Sequence, residues 1–241
     1  MRLHPGGLPH GLLVLRLHTR GLIRNLTAGE ILEQIFASAR DRGVPVTHVV
    51  LMGSGEPLDN LTEVLRFLEL VRHPEGLMIS HRHITLSTCG IVPRMAELAE
   101  AKLQITLAVS LHAAEDTLRN RLVPVNRTYP IGELLKACQA YFDVTGRRIT
   151  FEYALLQGIN DTEAQAQGLI RLLKGMNCHV NLIPANTIRE RDFAASGNLT
   201  VDKFAKALKR GGISVTVRRE LGDSIQAACG QLRQKYMETS D

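Results

Sequence analysis

Residues 48–61 read HVVLMGSGEPLDNL, and this stretch decides how the rest of the chain is interpreted. An apolar run over residues 49–52 is followed by two glycines, one on each side of Ser54, and then by Glu56 and Pro57. The apolar run is typical of a buried strand, and glycine and proline are typical of its end. Glycines let a ligand approach the backbone, and a carboxylate can bind a cationic group such as an amine. A tight turn with a solvated glutamate is the alternative, and this stretch by itself leaves it open.

Short β-rich runs alternate with amphipathic stretches of helical period along the whole chain. Several of the β-rich runs are almost continuously apolar, which predicts strands buried on both faces of a parallel sheet. A capping box, Thr27 to Glu30, predicts the start of the first helix. The predicted strands lie within residues 46–53, 83–90, 104–113, 148–158, 178–186 and 213–221. The predicted helices lie within about 28–42, 62–72, 93–102, 130–142, 161–173 and 201–210.

Polar residues mark the carboxyl end of most predicted strands. They are Glu56, Ser87 with Thr88, Ser110 to His112, Glu152, and Asn181 with Asn186. Such residues converge on one site if the sheet curls toward a ring, because the active face of an α/β barrel lies at the strand ends. A doubly wound sheet would instead concentrate its site at one switch point. The polar strand ends therefore predict an α/β fold of the (β/α) barrel type rather than a doubly wound sheet.

Composition places the chain among ordinary globular proteins. It has 241 residues, of which 44% are hydrophobic and 22% charged, and this length suits one barrel domain. No apolar run approaches the roughly 18 residues of a membrane span, so we expect a cytoplasmic protein that does not bind membranes. The net charge of +5 favours a polyanionic partner such as RNA, although many soluble proteins carry such a charge.

The four cysteines are widely spaced and form no C-x-x-C motif, so we expect reduced thiols. Cys89, Cys138 and Cys178 are interpreted as buried and inert. Cys229 is interpreted as a candidate nucleophile, because it lies between small residues that leave its sulfur sterically open.

Taken together, these stretches resemble the radical S-adenosylmethionine RNA methyltransferases that methylate adenine at C2, the RlmN/Cfr type. The matching runs occur in family order over about residues 24–233. They are RNLTAGEI, GSGEPLDN, ITLSTCGIVP, LAVSLHA, LVPVNRTYP, RITFEYALLQGINDT, HVNLIPAN and GDSIQAACGQLR. The family usually has GMGEP where this chain has GSGEP, which is a small departure.

The resemblance implies a fold of the radical-SAM barrel type and a set of site residues. By this resemblance, Gly55 and Glu56 hold the amino group of S-adenosylmethionine. The remainder of the cofactor is bound by Ser87, Ser110, Leu111, His112 and Asn186. Cys229 corresponds to the cysteine that carries the methyl group in the family. The family delivers this group to C2 of an adenine in large-subunit ribosomal RNA by radical chemistry that starts at a [4Fe-4S] cluster. Polar transfer cannot do this, because C2 of adenine is not nucleophilic, so the cofactors carry the difficult chemistry.

Residues 1–23 depart from the family. Its cluster is held by a C-x3-C-x2-C motif, and ungapped counting places Leu8, Leu12 and Leu15 at those positions. We therefore expect no metal ligands here, and we interpret residues 1–23 as a degraded or mis-framed segment. On this view the first barrel strand and the cluster loop are missing or degraded, so the resemblance implies a partial (β/α) barrel. Residues 24–241 are then the barrel domain, with a C-terminal extension that carries Cys229.

Three functional hypotheses remain open from the sequence. The first is an RNA methyltransferase by descent, acting as a monomer on ribosomal RNA and also on transfer RNA, and inactive in this chain without its cluster ligands. The second is a non-catalytic barrel that binds S-adenosylmethionine or RNA. The third is an ordinary barrel enzyme that uses Glu56 or Glu152 as a general base.

Overall fold

The computed structural model describes residues 24–52, 55–184 and 196–218, and within them six parallel strands form one sheet. The strands are β1 (Val49–Leu51), β2 (Ile84–Thr88), β3 (Thr106–Ser110), β4 (Ile149–Leu155), β5 (Cys178–Pro184) and β6 (Ser214–Val217). Each strand lies beside its neighbours in chain order, so every crossover connects adjacent parallel strands. This order is that of a barrel wall, and the six predicted strand positions are confirmed.

Seven α-helices lie between or before these strands in the described part of the chain. They are α1 (Ala28–Arg42), α2 (Leu61–Arg72), α3 (Val92–Glu100), α4 (Asp116–Leu122), α5 (Ile131–Thr145), α6 (Glu163–Leu173) and α7 (Asn198–Arg210). Three short 3-10 helices are added at Pro57–Asn60, His81–His83 and Pro124–Arg127. All predicted helices are confirmed, whereas α4 was not predicted because seven residues are too few to show a helical period.

The first helix shows how local sequence sets an element boundary. The side chain of Thr27 accepts a hydrogen bond from the Glu30 N–H, and Glu30 accepts one in return from the Thr27 N–H. This is the predicted capping box. At the other end Gly43 takes a left-handed conformation (φ 66°), which ends the helix without a side-chain clash.

The two faces of the sheet differ in chemistry. Side chains alternate between the faces along each strand, and one set is mostly apolar and largely buried against the helices. This outer set includes Leu86, Leu107, Phe151, Val180 and Leu182. The opposite, inner face carries Thr85, Ser87, Ser110, Glu152, Asn181 and Thr216.

The expectation of strands buried on both faces was wrong for part of the sheet. Burial alternates along β2 and β5, and in β6 the inner positions are exposed. Only the central strands β3 and β4 are buried almost throughout. The reason is geometric: helices cover the outer face, while the inner face of a curled sheet lines the barrel interior.

The two edges of the sheet approach each other at the carboxyl ends of the strands. Arg218 directly follows β6, and its Nη1 lies 3.7 Å from the sulfur of Met52, which directly follows β1. A flat six-stranded sheet would hold its edge strands roughly 24 Å apart, since adjacent strands lie about 4.8 Å apart. The sheet is therefore strongly curled, which confirms the partial-barrel prediction.

Three of the four cysteines lie in the described residues, and they are buried as expected. Burial raises the pKa of Cys138 to about 12 and that of Cys178 to about 11, so both thiols stay protonated at neutral pH. Cys229, Asn186 and residues 1–23 lie outside the described residues. Among the described helices, none is long and apolar enough to cross a membrane.

Gly90 offers a test of how tightly the loop after β2 packs. Its φ is +97°, and an added Cβ would lie 2.5 Å from Leu134 Cδ1 of α5. We expect Gly90→Ala to lower the free energy of unfolding by about 2–4 kcal/mol, through backbone strain and overpacking. Urea denaturation of both proteins measures the difference.

Gly132 provides the matched control. It lies in the first turn of α5, and an added Cβ would meet nothing within 4 Å. Gly132→Ala should therefore leave stability unchanged or raise it by about 0.5 kcal/mol. Equal effects of the two substitutions would contradict the described packing of the β2–α3 loop.

Candidate functional site

The carboxyl ends of β1, β2 and β3 are tied together by buried polar groups. Glu56 follows β1 and is buried, although Gly55 beside it is exposed and has a left-handed φ of 97°. The Glu56 carboxylate accepts hydrogen bonds from the Leu58 N–H at 3.0 Å and from the Cys89 N–H at 2.7 Å. Because Cys89 follows β2, this carboxylate joins two neighbouring strand ends.

The Glu56 carboxylate is held by the protein on several sides. Besides the two backbone N–H groups, the side chains of Cys89 and Thr88 hydrogen-bond to it. Burial raises the pKa of Glu56, and these hydrogen bonds oppose that effect. The alternative of a tight turn with a solvated glutamate is therefore wrong, because the carboxylate is buried and binds the loop that follows β2.

Arg119 of α4 connects the ends of β2 and β3 through hydrogen bonds to their backbone carbonyls. Its side chain is completely buried and donates four hydrogen bonds, three of them to backbone carbonyls. The acceptors are Leu111 O at 3.1 Å, Cys89 O at 2.8 Å, Ser110 O at 2.8 Å and Asn126 Oδ1 at 2.8 Å. Burial lowers the pKa of Arg119 to about 10, so the guanidinium is still charged at neutral pH. A guanidinium with five fixed donors suits this task better than any other side chain.

His112 completes the third strand end. It has a positive φ of 56°, and its Nδ1 accepts a hydrogen bond from the Ala154 N–H at 2.9 Å. The neutral ring therefore carries its hydrogen on Nε2, which is buried and meets no hydrogen-bond partner among the described residues. Burial, helped by the charge of Arg119, lowers the pKa of His112 to about 3. The ring is thus a neutral donor at physiological pH.

Asn160 fastens the end of β4 to this loop. Its amide nitrogen donates to the carbonyls of His112 and Ala154, and its Oδ1 accepts from the Leu156 N–H. The Tyr153 hydroxyl in turn donates to the Asn160 carbonyl at 2.9 Å. A single buried side chain thereby fixes the position of His112 relative to the central strand.

A second polar cluster lies on the inner face of β4, β5 and β6. Glu152, Asn181 and Thr216 are register partners across the three strands, and Ser110 is the partner of Glu152 on β3. Asn181 Nδ2 donates to the Glu152 carboxylate at 3.0 Å. Burial raises the pKa of Glu152 to about 7, while the Asn181 hydrogen bond and the charge of Arg218 oppose this.

The structure therefore brings most of the predicted site residues to one end of the barrel. Gly55, Glu56, Ser87 and the segment Ser110 to His112 all lie at the carboxyl ends of three adjacent strands. Asn186 and Cys229, which complete the predicted set, lie outside the described residues. Sequence reasoning missed Arg119 and Asn160. In the sequence, Arg119 cannot be told from an exposed helical arginine. Arg121, two residues later in the same helix, has similar sequence neighbours but is exposed.

The described residues contain no group of three or more His, Cys, Asp or Glu side chains that could hold a metal ion. They do offer groups that fit a polar organic cofactor. The buried Nε2–H of His112 is a donor that is not used by the described residues, and Gly55 exposes its backbone at the same end of the sheet. These groups are available for hydrogen bonding to a polar ligand, and the described ranges present no preformed metal centre.

Comparisons with known proteins agree with this geometry. A family model described as "Radical SAM superfamily" matches residues 12–167. A probable dual-specificity RNA methyltransferase RlmN of Desulforamulus reducens is 56% identical over 216 residues, which are 90% of this chain and 62% of the relative. The protein of the same name from Clostridium perfringens is 52% identical over 219 residues, 91% of this chain and 63% of the relative. The chain thus spans less than two thirds of the length of these curated relatives.

Solved structures give the same picture. A radical SAM methyltransferase from Sphaerobacter thermophilus is 48% identical, has a TM-score of 0.84, and matches 88% of this chain and 63% of its own. Streptococcus suis SuiB bound to S-adenosylmethionine is 15% identical with a TM-score of 0.62, over 86% of this chain and 47% of its own. At that identity the second likeness concerns the fold only.

Arg119 should be among the most sensitive residues of the chain. Arg119→Met keeps the apolar bulk but leaves the carbonyls of Cys89, Ser110 and Leu111 without their buried donors. We expect the free energy of unfolding to fall by about 3–5 kcal/mol in urea denaturation. The exposed neighbour is the control: Arg121→Met should change it by less than about 0.5 kcal/mol.

His112 predicts a defined loss of stability in acid. Its pKa is about 3 in the folded protein and about 6.5 when unfolded, so the unfolded chain binds the extra proton as the pH falls below 6.5. This stabilisation is complete above pH 6.5 and is lost toward pH 3, at about 1.4 kcal/mol per pH unit. His112→Asn keeps an acceptor for the Ala154 N–H, tolerates the positive φ and cannot titrate.

The free energy of unfolding at pH 7.5 and pH 5 measures this effect. The wild type should lose about 2 kcal/mol more than His112→Asn between the two values. His73→Asn, at an exposed histidine, should follow the wild type. Parallel pH profiles of wild type and His112→Asn would contradict a buried neutral imidazole.

Proposed function

Because the chain belongs to the radical SAM superfamily, we propose that it is the barrel of an RNA methyltransferase that uses S-adenosylmethionine. The proposed reaction transfers a methyl group to C2 of an adenine in large-subunit ribosomal RNA. The relatives named as dual-specificity RNA methyltransferases support a second RNA substrate, which we propose is transfer RNA. The net charge of +5 suits such a polyanionic partner, and we propose that the protein acts on it in the cytoplasm as a monomer.

The observation that carries this proposal is the joining of three strand ends by Glu56 and Arg119. These two buried side chains hold the loop after β2 against those after β1 and β3. The proposed cofactor site is formed by Gly55, Glu56, Ser87, Ser110, Leu111 and His112 at this end, together with Asn186. The Glu56 carboxylate is already hydrogen-bonded by the loop, so we propose that the amino group of the cofactor lies against the backbone of this turn.

His112 and Cys229 have distinct proposed roles. The Nε2–H of His112 would donate to an acceptor of the bound cofactor, because it has no other partner among the described residues. Cys229 would correspond to the methyl-carrying cysteine of the family, as the run GDSIQAACGQLR implies. The barrel would hold the cofactor and exclude water, while S-adenosylmethionine supplies the methyl group.

The iron–sulfur cluster of the superfamily does not fit the residues of this chain. The first cysteine of this sequence is Cys89. We propose, from ungapped counting, that Leu8, Leu12 and Leu15 occupy the positions of the three-cysteine motif, where aliphatic side chains cannot bind iron. We propose that residues 1–23 are a degraded or mis-framed segment ahead of the barrel domain, 24–241. The same reasoning favours an alternative function for this polypeptide, in which it binds S-adenosylmethionine or RNA without turnover.

Cofactor binding tests the proposal directly. Glu56→Ala removes the link between the loops after β1 and β2, and we expect affinity for S-adenosylmethionine in calorimetry to fall at least about tenfold. Glu69→Ala, at an exposed position of α2, should bind like the wild type. Thermal unfolding of each variant shows whether it is folded at the assay temperature. A wild type that does not bind S-adenosylmethionine would refute the proposal.

Iron incorporation tests the second part. After anaerobic incubation with iron and sulfide, the purified chain should stay colourless and contain almost no iron. A radical SAM protein that has the three-cysteine motif serves as the positive control. A stable brown protein with stoichiometric iron would show that other residues of this chain hold a cluster.

A further inference from the structure

A continuous chain of hydrogen bonds crosses the inner face of the sheet from β6 to β4. Ser214 Oγ and His179 Nδ1 lie 2.9 Å apart, and His179 Nε2 lies 2.9 Å from Thr216 Oγ1. Thr216 Oγ1 donates to Asn181 Oδ1 at 3.2 Å, and Asn181 Nδ2 donates to Glu152. Ser214 and Thr216, at the β6 end of this chain of hydrogen bonds, are exposed, whereas Glu152, at its β4 end, is buried.

Above its pKa of about 7, Glu152 is ionised and fixes the direction of this chain. A carboxylate only accepts, so Asn181 must present its NH2 group to Glu152 and its Oδ1 to Thr216. Thr216 has one hydroxyl hydrogen, which it gives to Asn181, so His179 Nε2 must be the donor of the next bond. In the neutral ring Nδ1 then accepts from Ser214. Every donor points toward Glu152.

Glu152 retains unused acceptor capacity at the end of this chain. Both of its oxygens receive hydrogens from the same Asn181 nitrogen, at 3.0 and 3.3 Å, and among the described residues no other side chain donates to them. A carboxylate has about four lone-pair positions, so it can accept a further N–H group. Burying it is costly unless such partners are supplied. An amide would serve equally well if the only purpose were to hold Asn181.

The surroundings of Glu152 restrict what the partner can be. The charge of Arg218 already stabilises the ionised form of Glu152, so the free acceptor positions can be filled by a neutral N–H donor without a second full cation. Ser110 of the proposed cofactor site is its register partner on β3, so the carboxylate lies beside that site inside the barrel. A neutral ligand with an amino group on a flat ring meets both conditions.

We propose that Glu152 binds the amino-bearing edge of an adenine ring inside the barrel. The inference rests on the proposed function, in which adenine occurs twice: in S-adenosylmethionine and in the RNA base that is methylated. Asn181, Thr216 and His179 act as positioning residues that hold the acceptor in place. In both cases an N–H of the adenine amino group donates a hydrogen bond to one carboxylate oxygen of Glu152.

Exchange of the amino group for a carbonyl tests this assignment on the full chain. In one arm, binding of S-adenosylmethionine is compared with that of its inosine analogue. In the other arm, an RNA hairpin with one unpaired adenosine is compared with the same hairpin containing inosine. In one arm the wild type should prefer the amino form by at least about tenfold, because the carbonyl of inosine would face a carboxylate. The arm that shows the preference identifies which adenine Glu152 contacts.

Glu152→Met removes the acceptor while keeping the side-chain length. The preference in the sensitive arm should fall to less than about threefold, which general destabilisation would not produce because both ligands would be affected equally. Glu152→Ala is the second variant if Glu152→Met does not fold. Thr150→Val, two residues earlier on the same face of β4, should keep the wild-type preference.

The failure modes are distinct. Binding of both ligand pairs without any preference in the wild type, or a preference that survives Glu152→Met, overturns this inference and leaves the proposed function intact. A wild type that does not bind S-adenosylmethionine overturns the proposed function, and this inference with it.

Discussion

The buried guanidinium of Arg119 is the interaction on which the rest of the site depends. Parallel strands end in loops whose carbonyls need donors, and in a closed packing these donors must come from the protein. One side chain supplies three backbone carbonyls from two loops, at 2.8 to 3.1 Å. Asn126, in the 3-10 helix after α4, then holds the guanidinium from the side and is itself anchored by Asp116. The short helix α4 therefore positions the guanidinium of Arg119 at the ends of β2 and β3.

Glu56 performs the complementary task with the opposite charge. Its oxygens accept hydrogen bonds from backbone N–H groups in the loops after β1 and β2. Arg119, by contrast, donates to backbone carbonyls at the ends of β2 and β3. The two residues do not pair with each other, yet both bind the backbone of Cys89, through its N–H and its carbonyl respectively. Two buried side chains from different elements thus fix the same loop at one residue.

The sequence predicts the framework better than the connections within it. Strands and helices follow from apolar periodicity and caps, as at Thr27, so their order was accessible without coordinates. The prediction that the inner face is buried was wrong, because apolar residues in β1, such as the exposed Val50, do not indicate which face of the sheet the helices cover. Glu56 was found because a carboxylate after a buried strand is unusual. Arg119 was not, since its role depends on carbonyls supplied by residues distant in the chain.

The separation of the two sheet faces affects how such a protein can diverge. The outer face and the helices contain nearly all of the apolar core, while Thr85, Ser87 and Thr216 project from the other side and remain half-buried or exposed. Replacing one of these inner residues removes little apolar surface from the core, so the expected loss of stability is small. Mutations can therefore sample new ligand preferences inside the barrel without first needing compensating changes in the folding core.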